Sequence, residues 1–216
     1  MMARQRSKRG PAGAWLWLSA LFVALALSGC IFSPEKKKKP DIVVPYPVAT
    51  SPGNVLAIVK RAYEERKIEE FEKIFATEYV FQFSPEDIVQ GNTPAEWPRN
   101  DEIDSARNMF GDDTVDRIEM TSFIIPAPRA AVESDNLPSI EGVQVITIDA
   151  VRLSVFTRNL DGEVLELLVP GEQAVFFFLE TQVVDPASGR KLWELIRWRD
   201  KPTGGFTAIK QTFATQ

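Results

Sequence analysis

The sequence predicts an α+β domain in which helices come first and a strongly curved, mostly antiparallel sheet follows them. Three observations carry this. Apolar residues recur at helical spacing after Ser51 and again after Asn100. From Asp116 onward the period changes to two. Within the later segments, Ile148-Asp149 and Pro170-Gly171 interrupt stretches too long for one flat strand, so the sheet must bulge and bend. Helices gathered before such a sheet cover one of its faces.

The N-terminus precedes that domain and differs from it. Residues 1–13 carry Arg4, Arg6, Lys8 and Arg9 and no acid, an apolar run follows from Ala14 to Ala26, and Leu27-Ser28-Gly29-Cys30 closes it. A basic stretch, a short apolar core and small residues before a cleavage point describe an export signal over residues 1–29. Leu27-Ser28-Gly29-Cys30 also resembles the lipobox of bacterial lipoproteins. That resemblance implies a diacylglycerol on the Cys30 sulfur and acyl chains (palmitate among them) that hold the mature protein to a bilayer at roughly 0.8 kcal/mol per buried methylene. The alternative is an uncleaved anchor, since Ala14 to Phe32 is just long enough to span. Ile31 follows the cysteine where an aspartate retains many lipoproteins at the inner membrane. By that rule the expected address is the cell envelope: the outer membrane, facing the periplasm, in a diderm source. Residues 30–50 are proline-rich and hold the block Lys36 to Lys39, which reads as a stiff tether beside a lipid surface or simply as a solvated linker.

Composition narrows the chemistry. Histidine is absent and Cys30 is the single cysteine, so Ser-His and Cys-His relays, imidazole ligands and multi-thiolate zinc sites are excluded. No cofactor and no metal site is expected; the acid pairs Glu86-Asp87 and Asp112-Asp113 lack calcium-loop spacing and suit turns and caps. Residues 41–216 hold 29 acids against 17 bases, or −12, which argues against nucleic acid as a partner.

The domain is expected over residues 51–216. Ser51-Pro52 opens a helix whose stripe is Val55, Ile58, Val59, Ala62 and Tyr63. Arg66-Lys67 breaks it, and Ile68, Phe71 and Phe75 start a second, short one. Tyr79, Phe81 and Phe83 lie on one side of a strand. Asn100 is the expected cap of a third helix, with Ile103, Ala106, Met109 and Phe110 on its apolar face and Gly111 at its end. Ile118, Met120, Ser122 and Ile124 alternate; residues 126–142 form a long loop with three prolines. Strands then run over Val143 to Thr157, with a break at Ile148-Asp149, and over Val164 to Val184, joined through Asp161-Gly162. Ala174 to Leu179 is apolar without alternation, so both its faces are covered. After a turn at 185–189, Leu192 to Arg199 is the last strand.

Two stretches resemble the NTF2-like (SnoaL-like) superfamily: Ala62 through Phe83, above all Arg66-Lys67-Ile68-Glu69-Glu70-Phe71 and Phe75-Ala76-Thr77-Glu78-Tyr79-Val80-Phe81, and the ending Trp193-Glu194-Leu195-Ile196-Arg197-Trp198-Arg199-Asp200. The resemblance implies a cone-shaped sheet closed by helices around an apolar pocket, and a homodimer. It fixes no reaction, because the superfamily contains isomerases, dehydratases and hydrolases as well as members that only bind. In its ketosteroid-isomerase branch the general base aligns with Phe83 and the oxyanion-hole tyrosine with Val59, neither of which can move or donate a proton. The dehydratase branch relies on histidine.

Two readings of function remain. One is a lipid-anchored, non-catalytic domain that binds a small apolar ligand or an envelope protein. Phe81 and Phe83 could line its pocket, or be core. Trp193 and Arg197 could form an indole–guanidinium ligand site on one strand face, or a solvated face. The other is a small isomerase, dehydratase or hydrolase using Asp149, whose register with Val145, Val151 and Leu153 would carry it into an apolar cavity unless the neighbouring break turns it to solvent.

Overall fold

The computed structural model describes residues 44–90, 93–137, 140–201 and 205–214. The export signal, the lipobox with Cys30 and most of the tether lie outside these residues. The packed unit begins at Pro45. Of the expected tether, Pro45 to Thr50 lie along the domain: Trp193 donates its backbone N–H to Ala49 O at 2.7 Å, and Arg61 reaches Pro45 O at 2.9 Å.

Helix α1 (Pro52–Glu65) starts where Ser51 predicts, with the Asn54 N–H donating to Ser51 Oγ at 3.2 Å. Its buried face adds Leu56 to the predicted stripe. Arg66 ends it in the left-handed region, φ 55°, a place usually given to glycine. Its guanidinium explains why a side chain is kept there: it donates to the carbonyls of Phe110, Asp112 and Val115 at 2.6–2.8 Å, joining the end of α1 to a distant turn. Helix α2 (Ile68–Glu72) buries Phe71, and β1 (Phe75–Gln82) places Tyr79 and Phe81 inward.

Two elements here are absent from the sequence-based expectation: α3 (Pro85–Gln90) and the three-residue β2 (Glu96–Pro98), which pairs Trp97 with Phe81. Strand β2 runs straight into α4 (Arg99–Gly111), so Pro98 occupies the cap position and Asn100, the expected cap, lies in the first turn. Strand β3 (Val115–Thr121) buries Ile118 and Met120 as expected but stops one residue before Ser122. Ser122 has φ 55°, and this turn reverses the pattern: Phe123 is buried and Ile124 is exposed.

The expected long loop carries β4 (Arg129–Ala130) and a 3-10 turn, Glu133–Asp135. Strands β5 (Gln144–Arg158), β6 (Val164–Val184) and β7 (Lys191–Asp200) complete a seven-stranded sheet of order β2-β1-β7-β6-β5-β3, with β4 on β5. Only β1–β7 is parallel among these pairings. Shifts of register between Ile148 and Val151 and between Phe177 and Phe178 bend the long strands.

The helices do not all come first. A C-terminal helix, α5 (Gly205–Ala214), buries Phe206, Ile209 and Phe213 against α4 and β6, so helices from both ends of the domain cover the inner sheet face. Ser105 Oγ donates to Lys210 O at 2.9 Å and Asn108 Nδ2 to Phe213 O at 2.8 Å, fixing α5 to α4. On the opposite face Val143, Val145, Val175 and Phe177 form a smaller core under Ala131 and Leu137 of the loop. Ala174 to Phe178 are consequently buried on both faces, as their unbroken apolar run predicts.

Candidate functional site

The inner face of the sheet, where a pocket was expected, is filled. Tyr79, Phe81, Phe176, Phe178, Trp198, Phe206 and Phe213 are each at most 2% exposed. Their rings meet edge to face: Phe81–Trp198 at 5.6 Å, Trp198–Phe206 at 5.1 Å, Phe81–Phe83 at 4.9 Å. Phe81, a candidate pocket wall, is core.

Inside this aromatic packing lies a charged pair. Lys210 of α5 and Glu102 of α4 form a fully buried salt bridge, and the Lys210 ammonium also sits 4.2 Å from the centre of the Phe81 ring and 4.5 Å from that of Trp198. Burial pushes the Lys210 ammonium below its ordinary range, and the Glu102 and Asp200 carboxylates pull it back up. Burial, then the Glu102 charge, pushes the Tyr63 and Tyr79 phenols well above theirs. Tyr79 Oη, Trp198 Nε1 and Glu102 Oε2 have no hydrogen-bond partner among the described residues. Leaving such atoms unpartnered is costly, whereas the Lys210–Glu102 pair itself links α5 to α4. Of the predicted site residues, Phe81 alone contacts this pair among the described residues, and neither Lys210 nor Glu102 was predicted.

Asp149 lies outside it. The register shift between Ile148 and Val151 leaves Asp149 and Ala150 unpaired and exposed, and the Asp149 carboxylate accepts from Gln173 Nε2 at 2.7 Å. Even-numbered residues face inward before the bulge (Ile146, Ile148) and odd-numbered ones after it (Val151, Leu153, Val155). Asp149 is therefore out of register with the inward residues it was grouped with.

A bulge also separates Trp193 from Arg197. Leu195 pairs with Phe178, whereas Arg197 pairs with Phe177, so Ile196 is the extra residue. Trp193 and Leu195 pack on the inner core; Arg197 and Arg199 stand on the outer face with Phe177. The expected indole–guanidinium pair is split between the two sides of the sheet.

What the fold does form is a cavity of about 630 Å³ where β1 and β7 end together. Phe83, Pro85, Ile88 and Ala95 make its apolar wall. Phe83 is the one predicted ligand residue on this wall; it stacks edge to face on Trp97 at 5.0 Å. Arg199 and Lys201 are the cations around the cavity, with Glu86, Glu96 and Asp200 the acids. Arg199 Nε donates to Gln82 Oε1 at 2.8 Å and its Nη2 to Asp135 O at 2.7 Å. Gln82 in turn donates to Glu96 at 3.0 Å. The volume falls within the roughly 300–1,000 Å³ range of small-molecule sites. No residue in the loop that supplies Asp135 was predicted as part of a site; the signal was its length.

The acid pairs serve structure. Asp87 accepts from Ser84 and Thr207, and Asp112 Oδ1 accepts from the Thr114 N–H and hydroxyl. Among the described residues no cluster of three or more His, Cys, Asp or Glu could hold a metal, and no helix is long and apolar enough to cross a membrane.

No family model matches the chain, and no curated protein matches it. Solved structures do resemble it. A conserved protein from Planctomyces limnophilus aligns with a TM-score of 0.45 at 12% identity, over 69% of this chain and 91% of its own. An NTF2-like protein of unknown function in nutrient uptake from Rhodospirillum rubrum gives 0.42 at 12% identity, over 71% and 98%. An uncharacterised protein with a cystatin-like fold from Caulobacter vibrioides gives 0.39 at 15% identity, over 72% and 89%.

Proposed function

We propose that this chain is a lipid-anchored protein of the bacterial envelope whose NTF2-like domain binds a small apolar ligand without transforming it. Leu27-Ser28-Gly29-Cys30 behind a basic and apolar leader supports the anchor, with Cys30 as the acylated residue and the periplasmic face of the outer membrane as the address. One observation carries the binding role: the aromatic interior is solid, while a cavity with Phe83, Pro85, Ile88 and Ala95 on its wall opens at the ends of β1 and β7. The enzyme reading has lost its acid to the solvent side of a bulge, and no observation replaces it.

The two parts are tested separately on the full chain. In a bacterial host, labelled palmitate should enter the protein and be absent from Cys30→Ser; labelling that survives this substitution contradicts the anchor. The fluorescence of N-phenyl-1-naphthylamine should rise on binding and fall back in Ile88→Arg, a half-exposed wall position that tolerates charge. An unchanged response in Ile88→Arg places the probe elsewhere and removes the binding reading.

A further inference from the structure

Arg199 is held by neutral acceptors. Its two protein hydrogen bonds go to a side-chain amide oxygen, Gln82 Oε1, and to a backbone carbonyl, Asp135 O. A guanidinium carries five N–H donors, so three remain for another partner. The carboxylate that acts on it is Asp135, and that group is committed: Arg129 holds both its oxygens, Nη1 to Oδ2 at 2.7 Å and Nη2 to Oδ1 at 2.8 Å. The Val132 N–H adds a third bond to Asp135 at 2.9 Å. Arg197, two residues along the same outer face, adds like charge. Half-burial and that neighbour together pull the Arg199 guanidinium below its usual range. Half-buried positive charge is costly without a counter-charge. The Arg199 side chain is also positioned before any ligand arrives, by Gln82, Asp135 and the face of Phe177 at 5.1 Å. Lys201 lines the same cavity, and the wall beyond is Phe83, Pro85, Ile88 and Ala95. The acids Glu86, Glu96 and Asp200 line it too, with Glu96 bonded to the far side of Gln82.

We infer that the ligand of this cavity is an apolar molecule bearing one carboxylate, with the carboxylate on the free N–H donors of Arg199 and the apolar body against Phe83, Pro85, Ile88 and Ala95. The inference rests on the apolar-binding reading above and adds the head group to it. A planar, charged fork matches a carboxylate through two parallel bonds, a geometry an alcohol cannot satisfy. Cavity size then limits the tail, and the single anchor sets which end enters first.

Octanoate and octan-1-ol separate the two claims, because they share a tail and differ in the head. Titration calorimetry on the purified full chain should give roughly ten-fold or tighter binding of octanoate, the gain expected of a charge-assisted pair. Arg199→Gln should remove that preference while octan-1-ol binding persists. Lys201→Gln, an exposed position outside the Gln82–Asp135 network, should reduce it only in part and reports on charge if Arg199→Gln disturbs the loop. Equal affinities of the two probes, or a preference unchanged in both variants, overturns the carboxylate inference and leaves the apolar reading standing. Binding of neither probe overturns the apolar reading itself.

Discussion

Lys210 and Glu102 show what a buried charge does when it has one strong partner. Each is at most 2% exposed, and they come from helices about a hundred residues apart in sequence. Desolvating two ions costs several kcal/mol apiece, and their attraction in a low dielectric offsets most of it only while both are present. The pair therefore specifies where α5 docks more than it adds net stability. Lys210→Met alone should destabilise the domain by about 3–5 kcal/mol, because it strands the Glu102 carboxylate among rings. Lys210→Met combined with Glu102→Leu should recover most of that loss, as measured by urea unfolding. If the double variant is as unstable as the single, the pair contributes stability of its own and the positional role is wrong.

At the scale of elements, the loop between β3 and β5 acts as a strap over the outer sheet face. Arg129, Asp135 and Arg199 tie it down, and Ala131 and Leu137 cover Phe177 and its neighbours. The Arg129 guanidinium holds the Asp135 carboxyl down to about 2, against 3.8 for a free one. A carboxyl with a depressed folded pKa contributes stability that is present above the unfolded value and lost as pH falls through the folded one. The strap should hold at pH 5 and loosen between about pH 4 and pH 2. The Val132 amide, which donates to Asp135, should lose protection, relative to its intrinsic exchange rate at each pH, over that window, and at every pH in Asp135→Asn. Protection that stays flat from pH 5 to pH 2 contradicts the strap.

Helix α1, its Ser51 cap and its stripe follow from spacing alone, because 3.6-residue periodicity is local. Bulges are not local. The break at Ile196 shifts side chains to the other face, so alternation wrongly joins Trp193 to Arg197. The break expected at Ile148-Asp149 does turn Asp149 to solvent, the alternative to the cavity reading. Pro170-Gly171 announced its bend, with Gly171 at φ 96°; Ile196 announced nothing. Helix α5 had a signal in Phe206, Ile209 and Phe213, interrupted by Lys210 on the same face. The cavity was not legible, since it joins residues from β1, α3, β7 and the strap that approach only in the folded chain.

At the scale of the whole molecule, these pieces divide the labour. The inner face of the sheet is closed from both ends of the domain, by α1 and by α5, around rings and one ion pair. The outer face is partly strapped. The proposed binding site is the end of the sheet, where an otherwise acidic domain of net charge −12 over residues 41–216 presents Arg199 and Lys201 beside an apolar wall. In the proposed function the ligand occupies this terminal cavity and not the space among the inner aromatics. The most direct test is a crystal structure of the full chain with 8-bromooctanoate, located by the anomalous signal of its bromine. The bromine should lie between Phe83 and Ile88, with the carboxylate at Arg199. A bromine between Phe81 and Trp198, with α5 displaced, would contradict the account.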